Sequence, residues 1–243
     1  MKHSLFLAMA LAAVTGCSAQ AADNEVVGES NSQIIGGTVD NGDPSVVYIV
    51  MDGKYGCSGS VISSTVVLTA AHCLAGFSSF EVRTGTNAGS SPTSKLAVKE
   101  VHAHPSYNPN GSADQKYDIG VIVLSKATSL SPLTISRTAL TNSAIGKDVR
   151  LVGYGWNDGV SKSGGGVKRQ VTVDLNELKS DDFSVGEYGH TSCHGDSGGP
   201  AFLGGKIIGV TSYGYDYPWE ACIDAGFYTR VDLYTSFIDQ YTR

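Results

Sequence analysis

Hydrophobic and polar positions divide this chain near residue 33. Before it, Met1-Lys2-His3 leads into an unbroken apolar run, Leu5–Val14. That run is shorter than the roughly 20 residues a membrane-spanning helix needs. A basic start followed by a short apolar stretch is the pattern of an export signal. Beyond it, apolar residues come in short runs punctuated by glycine, proline, asparagine and aspartate. Val46–Met51 is one such run, and it ends at Asp52-Gly53, a dipeptide suited to the positive φ angles of a tight hairpin. Further strands are predicted at Ser60–Ile62, Val66–Leu68, Phe80–Thr84, Leu96–His102, Ile119–Leu124 and Asp148–Tyr154. Lys168–Asp174, Ala201–Leu203, Lys206–Ser212 and Gly226–Arg230 complete the set. Only the last stretch has a helical period: Tyr234, Phe237, Ile238 and Tyr241 predict a helix over 232–242, with Asp232 as N-cap. Many short strands with glycine-rich turns predict an all-β barrel or sandwich.

With 243 residues, 41% of them hydrophobic, the chain can fill one large core or two small ones. Its net charge is −6 and its cations form no stripe, so the electrostatic footprint of a nucleic-acid-binding protein is missing. The export signal has two readings. Ala19-Gln20-Ala21 suits cleavage after residue 21 and release as a soluble protein. Val14-Thr15-Gly16-Cys17 suits cleavage before Cys17 and lipid attachment there, the one route by which a membrane association is expected. Under either reading, Cys57, Cys73, Cys193 and Cys222 remain to pair. In an exported chain they point to two disulfides, whose connectivity spacing alone does not fix. The alternative, a metal site, has no CxxC or HExxH spacing behind it.

The chemistry is concentrated in Gly195-Asp196-Ser197-Gly198-Gly199-Pro200. A serine becomes a good nucleophile when a base takes its proton and nearby N–H groups receive the developing charge. The amides of Gly195 and Ser197 can supply that oxyanion hole, and Gly198 and Gly199 are expected to leave room for a substrate carbonyl. Gly195-x-Ser197-x-Gly199 also satisfies the nucleophile elbow of α/β-hydrolases, in which the catalytic histidine follows the serine. Here all six histidines precede Ser197, so that arrangement is excluded. His72 follows the buried-strand pattern Val66-Val67-Leu68 and a turn of small residues. Asp118 is the acid that leads directly into a long apolar strand. An unpaired carboxylate in that position costs several kcal/mol, so it implies a partner.

The order His72, Asp118, Ser197, with these flanks, resembles the trypsin/chymotrypsin family of serine endopeptidases from Ile34 to the C-terminus. The resemblance implies two six-stranded antiparallel β-barrels, at about 34–130 and 131–232, with the C-terminal helix packed on the second. It implies disulfides Cys57–Cys73 and Cys193–Cys222, no cofactor, and protein or peptide substrates cleaved by a secreted or periplasmic monomer. It also implies a zymogen: once residues 22–33 are removed, the Ile34 amine pairs with Asp196 and orders the site. A basic residue commonly precedes that bond, but here it is Gln33, so a trypsin-like activator is expected to cut there inefficiently, which leaves another, unidentified protease or the enzyme itself. Ser212 is implied to support Asp118. Thr191 is implied as a neutral pocket floor beside Ser192, with Tyr213, Gly214 and Gly226 forming open walls and His194 at the entrance.

A neutral floor implies preference for large apolar side chains before the cut bond. Asp216 or Asp224, in or after an unusually long Tyr215–Glu220 segment, would instead favour basic ones. No calcium site is expected, because Gly85–Pro92 carries no carboxylate. A catalytically silent binding or adhesion module of the cell envelope is the alternative from another class.

Overall fold

The computed structural model describes residues 34–110 and 116–242; the export signal and both of its cleavage readings lie outside them. The first strand, Thr38–Val39 (β1), is followed by Val46–Met51 (β2), Tyr55–Ser63 (β3), Val66–Thr69 (β4), Phe80–Thr84 (β5), Ser94–Ala103 (β6) and Gly120–Leu124 (β7). The last six pair antiparallel in the order β2-β3-β4-β7-β6-β5, and β5 returns to β2 to close a barrel. Asp148–Gly153 (β8), Arg169–Leu178 (β9), Asp182–Val185 (β10), Pro200–Leu203 (β11), Lys206–Tyr213 (β12) and Gly226–Arg230 (β13) make the second ring. Its order is β8-β9-β10-β13-β12-β11, and it is closed by the β8–β9 ladder. Closure pairs every strand on both sides and removes the free edges that an open sheet must protect.

The hairpin forms where the sequence predicts it. Met51 pairs with Tyr55, Asp52 and Gly53 adopt φ of 49° and 68°, and the Lys54 N–H closes on Met51 O at 3.0 Å. Strand β9 shows the inside–outside alternation of a barrel wall, with Val171, Val173 and Leu175 buried and Thr172, Asp174 and Asn176 exposed. Every residue of β4 is buried, as expected for an apolar run between packed layers.

Three expectations change. Strand β1 pairs with β9, so residues 38 and 39 join the second barrel's sheet, and the first barrel's strands begin at Val46. The terminal helix (α1) is only Thr235–Ile238, and no side chain caps it. Asp232 is occupied elsewhere, accepting the Leu140 N–H at 2.9 Å and the Arg230 guanidinium at 2.6 Å. The helix packs where the two barrels meet, not on the second alone: Tyr234, Phe237 and Ile238 join a core that holds Val46, Ile49 and Val121 of the first barrel and Val152, Ile207 and Val210 of the second. The Tyr234 and Phe237 rings meet His104, just after β6.

Candidate active site

The buried strand β4 delivers the chain to Ala70 and Ala71, both fully buried. Side chains this small let it turn inside packed material, through a 3-10 turn at Ala71–Cys73 that presents His72 with 29% of its side chain exposed. Asp118 enters β7 from the opposite side and is wholly buried. Its Oδ1 accepts the His72 backbone N–H at 2.8 Å, and its Oδ2 lies 2.7 Å from His72 Nδ1. The Ser212 hydroxyl donates to the same Oδ2 at 2.5 Å. A carboxylate only accepts, so Nδ1 carries the proton and the Nε2 lone pair is left facing away from Asp118. Three donors around one buried carboxylate satisfy it, and they fix the imidazole's orientation and tautomer together.

The Ser197 loop is tied to the first barrel through Ser58, a buried serine in β3. Its N–H donates to Ser197 O at 2.8 Å, its hydroxyl donates to Gly195 O at 2.8 Å, and it accepts the Tyr154 N–H at 2.9 Å. These bonds hold the carbonyls of Gly195 and Ser197 on the buried Ser58. Gly195 adopts φ of 100°, which a side chain would strain. Gly198 also has positive φ, and a Cβ there would stand 2.1 Å from Thr69 Oγ1 and 2.4 Å from Ser58 O. The space expected for a substrate carbonyl at Gly198 is therefore taken up by strands β3 and β4.

Asp196 is 2% exposed. Its two oxygens accept the Gly155 N–H at 2.7 Å and the Cys193 N–H at 2.8 Å. Burial pushes its carboxyl up to about 6, opposed first by the Cys193 and Gly155 hydrogen bonds and then by the positive charges of Arg169 and His194. The Ile34 side chain is already inserted, 1% exposed, in the second barrel's core with Val149 and Leu151, and Ile35 bridges to Thr191. Ile34 holds φ of 52°, a genuine outlier for a β-branched residue.

Two clefts meet at this constellation. One, of about 380 Å³, is lined by Ser192, His194, Ser212, Tyr213, Gly214 and Asp216. The other, of about 390 Å³, is lined by Tyr48, Tyr55, Phe77, Trp156 and Gly195. His72, His194 and Ser197 border both, so an extended chain running from one cleft to the other passes the serine. Both disulfides brace the junction: Cys57–Cys73 holds the His72 turn to β3, and Cys193–Cys222 joins the segments on either side of the first cleft.

The family model described as Trypsin matches residues 34–238. The chain belongs to the trypsin family. Among its curated relatives, Trypsin alpha-4 of Lucilia cuprina is 31% identical over 226 residues, covering 84% of this chain and 86% of that protein. Trypsin-3 of Salmo salar is 33% identical over 214 residues, 78% of this chain and 84% of that protein. In fold, the chain is similar to neuropsin, a serine protease expressed in the limbic system of mouse brain. There the TM-score is 0.72, with 23% identity over 84% of this chain and 97% of that one. As a trypsin-family protein, the chain is a serine endopeptidase acting on proteins or peptides.

Within this trypsin-family protease, not every expected pocket residue reaches the surface of the first cleft. Ser192, His194, Ser212, Tyr213 and Gly214 do. Thr191 is fully buried and outside the lining, as is Gly226; a Cβ on Gly226 would lie 2.5 Å from Ser192 Oγ and 3.4 Å from Thr191 Oγ1. Of the two residues expected at the pocket floor, Ser192 lines the cleft and Thr191 is buried beside it. Asp216 lines the cleft and Asp224 does not. Sequence reasoning singled out neither Ser58 nor Tyr107. Tyr107 lines the first cleft, and burial together with the nearby Asp118 charge pushes its phenol up to about 12. The sequence offers only an aromatic two residues beyond His104-Pro105 as a signal for it.

Proposed function

We propose that this protease works through Ser197 as nucleophile, His72 as general base and then acid, and Asp118 as the group that orients His72. One observation carries the reading: a wholly buried Asp118 accepts from His72 Nδ1, the His72 amide and the Ser212 hydroxyl, at the junction of two clefts shared by His72 and Ser197. In the cycle, Ser197 Oγ forms a bond to the substrate carbonyl carbon as its proton passes to His72 Nε2. The Gly195 and Ser197 amides hold the oxyanion. His72 then protonates the leaving amine, and water hydrolyses the acyl-enzyme by the same route in reverse.

The pocket reading is a preference for large apolar side chains before the cut bond. It rests on the neutral pair Ser192 and Thr191, and on Asp216 being engaged by His194 at 2.6 Å. A carboxylate already paired is a poor partner for an incoming Lys or Arg. The zymogen reading rests on the buried Ile34 side chain and on the buried Asp196, which accepts two backbone N–H groups and, among the described residues, forms no ion pair. Export rests on the apolar run at Leu5–Val14 and on two disulfides, which persist in oxidising compartments.

The test uses a chain beginning at Ile34, a peptide library varied at the residue before the scissile bond, and Asp118→Asn as control. Wild type is expected to cleave after Phe, Tyr, Leu or Met. Asp118→Asn is expected to lower kcat by about ten-thousandfold, because the amide favours the wrong imidazole tautomer. Cleavage only after Lys or Arg would reject the neutral-pocket reading.

A further inference from the structure

Asp216 stands where the first cleft opens, yet its charge is already engaged. The segment carrying it leaves the cleft wall at Gly214 and returns at Cys222. It is closed by an Asp216–Ala221 bridge and by the Tyr217 N–H donating to Glu220 O at 2.9 Å. Asp216 Oδ2 lies 2.6 Å from His194 Nε2, and Oδ1 accepts the Cys222 N–H at 3.1 Å. His194 is held from its other side by the Trp156 ring, with centroids 4.8 Å apart. The disulfide Cys193–Cys222 joins the same two segments one residue from His194. A covalent rung and a polar rung therefore cross the mouth of the cleft side by side. His194 borders both clefts, so the polar rung sits where a substrate passes from one to the other.

We propose that the His194–Asp216 pair is a clasp that determines specificity. By engaging Asp216 Oδ2, His194 withholds that carboxylate oxygen from an incoming side chain although an acid stands on the cleft wall; by holding His194, Asp216 fixes the bar that the substrate side chain must enter beneath. Asp216 is thus a positioning residue for His194, and His194 masks Asp216. Released from His194, Asp216 would keep only the Cys222 N–H on Oδ1 and present a free Oδ2 to a cationic side chain; the other imidazole on the described lining, His72, is committed to Asp118. The inference rests on the reading of Ser197 as the nucleophile beside this cleft.

The test compares four chains beginning at Ile34: wild type, His194→Ala, His194→Gln and the double variant His194→Ala/Asp216→Asn. Each is assayed on two peptides that differ only in Phe or Lys before the cut bond, with active sites counted by a serine-directed fluorophosphonate. His194→Ala is expected to raise the Lys-to-Phe ratio of kcat/KM about tenfold, through KM for the Lys peptide, since a charge unmasked in the binding cleft acts on binding. His194→Gln, whose amide N–H can still donate to Asp216, is expected to keep the wild-type ratio. The double variant removes only the freed charge, and it is expected to return the ratio to within about twofold of wild type. An unchanged ratio in His194→Ala overturns the clasp. So does a raised ratio that survives in the double variant, which would mark simple widening of the mouth. If no chain, wild type included, takes up the fluorophosphonate, the reading of Ser197 itself fails, and the clasp with it.

Discussion

Replacing Ser197 with alanine is expected to lower kcat by about a millionfold while leaving KM within a few-fold of wild type. The substitution removes the atom that bonds to the substrate, but neither cleft nor the oxyanion amides. The fold should tolerate it, because Ser197 is half-buried and its backbone, not its hydroxyl, carries the bond to Ser58. His72→Ala should cost nearly as much, since serine without its base is a weak nucleophile. The double variant should be hardly worse than either single one, because the two residues act as a unit. Single-turnover assays on the Ile34 form check both points. A loss of less than tenfold in Ser197→Ala, or clean additivity in the double variant, would contradict the assignment.

A chain that begins at Ile34 is expected to be about a hundred- to a thousandfold more active than one that begins at Ala22. The argument is about one buried charge. Asp196 has two amide donors and, among the described residues, no ion-pair partner, and burial raises its carboxyl from 3.8 to about 6 against the opposing amide hydrogen bonds and the charges of Arg169 and His194. A carboxyl whose folded value is raised holds its proton more tightly folded than unfolded. The uncut chain therefore loses stability as pH rises from about 4 to about 6, by at most on the order of 3 kcal/mol. Cleavage after Gln33 creates an α-amine on Ile34, whose side chain is already in place. Leaving a buried charge without its partner costs about 3–5 kcal/mol, which as a balance between ordered and disordered loops is a factor of roughly a hundred to a few thousand. Cleavage also releases the positive φ of Ile34. Two measurements check this: activity of the two chains side by side, and urea unfolding of the uncut chain with and without Asp196→Asn across pH 4–6. Equal activities, or a pH slope that survives Asp196→Asn, would contradict it.

Much of the site is legible in the sequence because its signals are local conflicts. A carboxylate at the head of an apolar strand demands a partner, and Asp118 has three. A run of small residues after Val66-Val67-Leu68 has to turn, and it turns at His72. Asp52-Gly53 is a hairpin because its two residues accept positive φ. Partnerships far along the chain are not legible in this way. Ser58 looks like one polar residue among several in Cys57-Ser58-Gly59-Ser60, and only the return of the chain at 195–197 makes it the anchor of the nucleophile loop. Strand β10 has little apolar signal of its own, and it exists because β9 and β13 flank it. The terminal helix shrinks to four residues because its expected cap, Asp232, is taken by Arg230 and Leu140. Gly198 is needed for a different reason from the one its motif suggests, since Thr69 and Ser58 approach it from across the barrel interface.

The most direct test of the account is chemical. A fluorophosphonate forms a stable bond with a serine oxygen only where a base activates that oxygen, and peptide mapping by mass spectrometry then names the residue. In the chain beginning at Ile34, the account predicts a single adduct, on Ser197, and its loss in His72→Ala. An adduct on another residue, or undiminished labelling of Ser197 in His72→Ala, would contradict it.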